Sequence, residues 1–326
     1  MKRMRIGSER SFPWRRLLAI AIAGGTVAAC GVSTPQWPSL PALSVPSQVL
    51  VRTGGHIVSV PIEDYVLASA LAEVTPLNES PATVERIYEV QAVLARTYAA
   101  SHVARHRAEG FDLCDATHCQ LYDPARIRTS RFASAAREAV QRTAGVVLAY
   151  SQRPAEALFH ADCGGYTAAA DAVWGGAPVP YLLPAPDKVP SAAHRTWKLS
   201  IAADVLRAAL NADSRSRVGG KLTSIEVRER DVSGRASQVA LNGEVSHVVR
   251  GEDLRTVLNQ KLGDRAVQST KFTIARAGQF YTFQGAGFGH GVGLCQLGAE
   301  ARARRGESLE TILTAYFPGV KIARVR

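Results

Sequence analysis

Three observations predict an α+β fold. The 326 residues are 46% hydrophobic and 21% charged, enough for a buried core. Short runs with strand period and runs with helix period both occur along the chain, and no regular strand-helix-strand beat or internal repeat links them. The expectation is one domain of mixed short strands and helices, with a smaller α/β segment inserted at about residues 197–275.

The elements follow in order. Residues 49–52 and 56–60 read as two strands joined at Gly54-Gly55. Pro61, Glu63 and Asp64 then open a helix that runs to Glu73, because proline and acids suit a helix's first turn. Val74 to Asn78 interrupts it. Ser80 and Pro81 open a longer helix expected to continue towards Arg107, with small residues at Ala92, Ala95 and Ala99 for close packing. A further helix is expected at 130–142, strands at 145–150 and 157–160 around a turn at 151–154, and an irregular path over 175–196. A short helix at 202–212, strands at 222–228 and 237–241, a helix opening at Gly251 and a hairpin at 272–276 and 279–284 complete the reading.

The N-terminus reads as a targeting signal. Basic residues end in Arg15-Arg16, and the uncharged run 17–29 is too short to span a bilayer's hydrocarbon. Val27-Ala28-Ala29-Cys30 resembles a bacterial lipobox, so residues 1–29 are expected to be cleaved and Cys30 lipidated. The rival reading is an ordinary signal peptide with a chance cysteine; the flanks of Arg15-Arg16 match twin-arginine export poorly. Residues 30–48, with Pro35, Pro38, Pro41 and Pro46, read as an unpacked tether that ends where the folded part begins, near Val49. The implied location is extracytoplasmic and membrane-anchored, at the outer membrane if the host has one.

The formal charge of +11 is inflated by that signal, where six basic residues face Glu9 alone, and +6 remains after it. Export, this mild charge and aromatic residues that do not interleave with basic clusters argue against nucleic-acid binding. In an exported chain Cys114, Cys119, Cys163 and Cys295 can form disulfides, and the sequence does not choose the pairing. Zinc is the rival at Cys114, His118 and Cys119, whose spacing is not that of a standard zinc knuckle and whose fourth ligand would come from Cys163 or elsewhere. A thiol nucleophile at Cys295 or Cys163 is disfavoured by the lack of any cysteine-protease signature.

Five blocks carry the chemistry: VPIEDYVLASALAEV, QAVLARTYA, CDATHCQLYD, FHADCGGYTAAADAVWGG and GFGHGVGLCQLGA. In order and spacing they resemble the stage II sporulation protein D / LytB amidase-enhancer family, across nearly all of residues 49–318. The resemblance implies a groove for peptidoglycan glycan and one of two activities. Sporulation members are lytic transglycosylases on peptide-stripped strands, and enhancer members stimulate a cell-wall amidase. It places the catalytic acid at Glu73.

The residues support that placement independently. Glu73 ends an apolar helix, where the helix dipole and apolar neighbours both disfavour ionisation and so favour a general acid. The competing reading is a solvated glutamate at a helix end. Arg96, Tyr98, Gln120, His160, Gly164, Gly165, His290 and Gln296 are expected to contact or orient the glycan. Core packing of Tyr98 and an ion pair of Arg96 are the alternatives. The alternate glycines around His290 fail as a nucleotide loop, since G-x-G-x-x-G and its strand-helix context are missing. Glu63 and Asp64 are assigned structural roles, Cys163 and Cys295 stand where family members often carry serine, and no cofactor is required.

Overall fold

The β1 strand (Gln48–Thr53) alternates buried Val49 and Val51 with outward Leu50 and Arg52, and pairs antiparallel with β2 (His56–Pro61). Gly54 and Gly55, at φ of +56° and +82°, make the two-residue turn between them. The computed structural model from which this architecture is read describes residues 37–38, 43–189 and 193–325. Its α+β class is the one expected.

Helix α1 (Ile62–Glu73) starts after Pro61 with Glu63 and Asp64 in its first turn, and buries Tyr65 through Leu71 on all faces. Helix α2 (Pro81–Ser101) is capped by Ser80, whose hydroxyl accepts the Thr83 N–H at 3.2 Å. It stops at Ser101 rather than near Arg107, because Ala104 turns to a φ of +63° with its N–H donating to Asp112 Oδ1 at 2.8 Å. Strand β3 (Leu113–Cys114) returns parallel to β1.

Next come α3 (Arg126–Thr129), a short turn of helix absent from the expectation, and α4 (Ala133–Arg142), which starts after rather than at Ser130 because the Ser130 hydroxyl takes the Phe132 N–H. Strands β4 (Val146–Tyr150) and β5 (Arg153–Pro154) turn through Ser151 and Gln152, and β6 (Phe159–His160) is shorter than its sequence run. Helix α5 (Ala170–Trp174) leads to the middle segment.

That segment contains β7 (Thr196–Ala202), α6 (Ala203–Asn211), β8 (Leu222–Arg230), β9 (Ala236–Gly243), β10 (His247–Arg250), α7 (Gly251–Leu262), β11 (Phe272–Ala277) and β12 (Phe280–Ala286). Two three-stranded sheets, β10-β9-β8 and β11-β12-β7, enclose a core of Leu206, Leu210, Val239, Leu241, Leu254, Leu258 and Phe283. Strand β7, which lies between the irregular path expected up to residue 196 and the helix expected from 202, is defined by its pairing along β12.

The chain then returns. Strand β13 (Leu294–Cys295) pairs parallel with β6, placing Cys295 opposite His160. Helices α8 (Gln296–Arg304) and α9 (Leu309–Tyr316) pack on α2, and β14 (Lys321–Arg324) pairs with β4. The main core therefore joins Val93 and Leu94 of α2, Leu148 of β4, and Ile312, Leu313 and Phe317 near the C-terminus. Among the described residues no helix is long and apolar enough to cross a membrane.

The segment expected to be an unpacked tether is corrected over its described part. Leu43 is 6% exposed against Val147, Ala149 and Val325, Trp37 packs on the main core, and Pro38 O accepts the Arg324 N–H. Apolar side chains between the prolines gain more from this cover than from water. Residues 1–29 and Cys30, on which the targeting expectation rests, lie outside the described residues.

Candidate functional site

Glu73 closes α1, half-buried behind the apolar run Tyr65–Leu71. The Leu121 N–H, from a loop 48 residues further on, donates to Glu73 Oε1 at 2.7 Å. Burial raises the carboxyl pKa to about 7, and the Leu121 hydrogen bond, which favours the charged form, offsets only part of that rise. The group is thus poised to give and take a proton near neutrality. Beside this helix end, Thr75, Asp123, Arg126 and Phe132 help line an open cleft of about 400 Å³.

The loop that supplies Leu121 is held on both sides. Gln120, 2% exposed, donates from Nε2 to Tyr65 Oη at 2.9 Å and to Ala95 O at 3.2 Å. Before it lie Cys114, His118 and Cys119, joined by His106; their ligand atoms all lie within 4.8 Å of one another. Cys119 Sγ is 2.7 Å from Cys114 Sγ and 3.4 Å from His106 Nε2, and His118 Nδ1 is 3.8 Å from Cys114 Sγ. His106 Nδ1 faces Glu109 Oε1 at 2.7 Å, an arrangement that leaves Nε2 with its lone pair towards the sulfurs. Two thiols and two imidazoles could hold a metal ion, and the donor set suits tetrahedral coordination. His106 stands fourth in this cluster, where the sequence left Cys163 or another residue open; it precedes the cysteine block and is brought in by the turn after α2.

A second cluster surrounds β6 and β13. His290 uses both ring nitrogens on backbone: Nε2 lies 3.0 Å from Phe159 O, and Nδ1 accepts the Val292 N–H at 3.1 Å. This network assigns the neutral tautomer protonated on Nε2, and burial with nearby Arg255 and Arg235 holds the imidazole well below its usual pKa. Its ring face lies 5.1 Å from Trp174 and 5.4 Å from the edge-on ring of His160. Trp174, 39% exposed, offers an open aromatic surface next to His290. Nothing local in the sequence marks this tryptophan for a role, since its neighbour is 116 positions away in the chain.

The Gly164-Gly165 turn takes φ of +68° and +96°. Asp162, 2% exposed, anchors it by accepting from Gly164 N at 2.8 Å and from Arg195 N at 2.7 Å, with His194 Nδ1 also 2.7 Å away. Gly164 O accepts from Lys271 Nζ at 2.6 Å, tying the turn to the middle segment. Neither Asp162 nor His194 was singled out in the sequence.

Several expected glycan contacts prove to be internal. Arg96 is fully buried; its Nε and NH2 donate to the two Glu63 oxygens at 2.9 and 2.6 Å, and NH1 to Val146 O at 3.1 Å. Tyr98 is 4% exposed and stacks on His102. His160 is 4% exposed, with Nδ1 3.1 Å from Val292 O. These three and Gln120 are buried and present no face to a polymer: Arg96 is spent on the Glu63 carboxylate and backbone, Gln120 on Tyr65 Oη and Ala95 O, and Tyr98 Oη accepts from the Arg105 guanidinium at 3.3 Å. Gln296, half-buried, donates to Gln91 Oε1 at 3.4 Å and so joins α8 to α2. Glu73 and His290 share no hydrogen bond or ring contact among the described residues. The four cysteines lie as two separate pairs, one at β3 and one between Cys163 and Cys295.

Comparisons with known proteins agree with this organisation. The family described as stage II sporulation protein (SpoIID) matches residues 52–150, the part carrying Glu73 and the Cys/His loop. The stage II sporulation protein D of Bacillus amyloliquefaciens is 30% identical over 86% of this chain and 79% of its own. The chain belongs to the SpoIID/LytB family. An uncharacterized protein of Brachyspira hyodysenteriae is 30% identical over 80% of this chain and 66% of its own. The amidase enhancer of Bacillus subtilis is 27% identical over 75% of this chain, which covers 39% of that longer relative. Within this SpoIID-family chain, residues 194–293 match a domain of unknown function (DUF8618). That match spans the middle segment from its first strand and ends just past His290, so the glycine-rich loop is shared between the segment and the main core.

Proposed function

We propose that the protein acts on the bacterial cell wall as a lytic transglycosylase of peptidoglycan glycan strands, with Glu73 as its acid and its base. The observation that carries this reading is the half-buried Glu73 carboxyl, titrating near 7 with the Leu121 N–H on one oxygen. Protonated Glu73 gives its proton to the glycosidic oxygen as the carbon-oxygen bond breaks. The resulting carboxylate takes the proton from the muramic 6-hydroxyl, whose oxygen closes on the anomeric carbon. One carboxyl serves both steps, because no water is activated. The exposed Trp174 ring beside His290 suits stacking on a sugar face.

Zinc is the metal best suited to His106, Cys114, His118 and Cys119. Bound there it would supply structural constraint, keeping the loop that ends in Leu121 against Glu73. The targeting reading adds a lipid anchor at Cys30 and an extracytoplasmic location. The amidase-enhancer reading is favoured by the relative of that name, and it retains glycan binding with Glu73 dispensable.

The test is mass spectrometry of peptide-stripped glycan strands incubated with the protein and with Glu73→Gln. Anhydro-ended fragments from the parent alone support the transglycosylase. Binding by both proteins without such fragments supports the enhancer, and the search then turns to a cell-wall amidase partner.

A further inference from the structure

Cys163 and Cys295 lie 132 positions apart and are both fully buried. Pairing of β6 with β13 sets Cys295 opposite His160, and the chain leaving β6 folds back so that the Cys163 N–H donates to Cys295 Sγ at 3.3 Å. The sulfur of Cys295 also caps α8, accepting the Gly298 N–H at 3.4 Å. The two sulfurs lie within 4.8 Å of each other. Around them, Phe288 and Asp162 exchange backbone hydrogen bonds, and Arg235 NH2 donates to Cys163 O at 2.9 Å. Two buried thiols are thus held together where the two glycine-rich turns meet.

We propose that Cys163 and Cys295 form a disulfide that locks the Gly164-Gly165 turn to the start of α8. A metal ion is the weaker use of the pair. Among the described residues Cys163 shares one three-donor group with His160 and Cys295 and another with Asp162 and His194, and neither reaches the four ligands of a closed zinc site. The nearest additional oxygen, Asp187 Oδ2, is 3.4 Å from Cys163 Sγ and already accepts the Tyr316 hydroxyl at 3.0 Å.

The chemistry is thiol-disulfide exchange with a small disulfide or a protein disulfide oxidant. The Cys163 thiolate, formed while the turns are open to water, attacks one sulfur of the oxidant and expels the other as a thiolate, which takes up the proton. Cys295, deprotonated in turn, attacks the Cys163 sulfur and releases the second thiolate. Two S–H bonds are lost and one S–S bond forms; the oxidant receives two electrons and two protons. Burial opposes ionisation of Cys295, so exchange is fast only while the turns are open, during folding. The bond encloses every element of the middle segment, from β7 to β12, in one covalent loop and fixes the backbone on either side of His160 and His290.

The test uses the full chain, refolded with oxidised glutathione, unfolded in the presence of an alkylating agent and mapped by proteolysis. The expected result is a linked Cys163–Cys295 peptide pair, lighter by two hydrogens than the reduced peptides and separated by dithiothreitol. Reduction is expected to lower Tm by about 5–10 °C, and Cys295→Ser to lower it equally and abolish the response at this pair. Full alkylation of both residues after oxidation overturns the proposal. So does linkage of either to Cys114 or Cys119, or a metal retained by the reduced protein and lost in Cys295→Ser. The mapping is done on the parent, so the proposal stays testable even if the variant fails to fold.

Discussion

Replacing Glu73 by Gln isolates what burial does to one carboxyl. The folded protein raises this group from an ordinary 4.5 to about 7, so the folded state binds its proton more tightly than the unfolded chain does. Stability linked to it is therefore fully present below about 4.5 and is lost as pH rises towards and past 7. A displacement of that size corresponds to about 3 kcal/mol, and water at the partly exposed edge reduces this to about 2 kcal/mol. Gln keeps the size and can still accept the Leu121 N–H, but it carries no charge to desolvate. Glu73→Gln should thus be nearly as stable as the parent at pH 4.5, and about 2 kcal/mol, or roughly 5 °C in Tm, more stable at pH 8. Thermal and urea unfolding across that range measures it. A difference that does not change with pH, or a variant less stable at pH 8, would refute the assignment of a buried, proton-holding Glu73.

Other expectations follow from the same geometry. Anhydro-end formation should decline above about pH 7, as the acid form of Glu73 is depleted, and a pH profile of kcat/KM checks this. Native mass spectrometry should find one zinc per chain after loading, with His106→Ala lowering its affinity at least tenfold, because His106 is one of the four donors. Trp174→Ala should weaken glycan binding about tenfold with little change in Tm, since the ring is 39% exposed and its loss leaves the core intact. Gly291→Ala should destabilise by about 2 kcal/mol or more, because φ is +89° there and a Cβ would run into the Arg235 guanidinium; urea unfolding reads the loss.

Much of this molecule was legible in its sequence. Gly54-Gly55 announced the first hairpin, Pro61 with Glu63 and Asp64 announced α1, and Ser80-Pro81 announced α2, because turns and caps depend on residues a few positions apart. Glu73 could be placed at the end of an apolar helix, and the ordered blocks pointed to a family that the comparisons support. Helix ends were less legible. Both the stop of α2 at Ser101 and the start of α4 beyond Ser130 are set by hydrogen bonds that compete with helix propagation.

Tertiary structure decided how those residues are used. Arg96, Tyr98, Gln120 and His160 carry polar groups that suit a ligand, and each is buried in service of the fold. His106 completes a four-donor cluster only because the chain turns after α2, and Trp174 meets His290 only because β13 returns beside β6. Local sequence dictates the backbone's short-range choices of turn, cap and period. The proton affinity of Glu73 and the pairing of Cys163 with Cys295 depend instead on desolvation and on partners 48 and 132 residues away, which exist only once the chain has closed on itself.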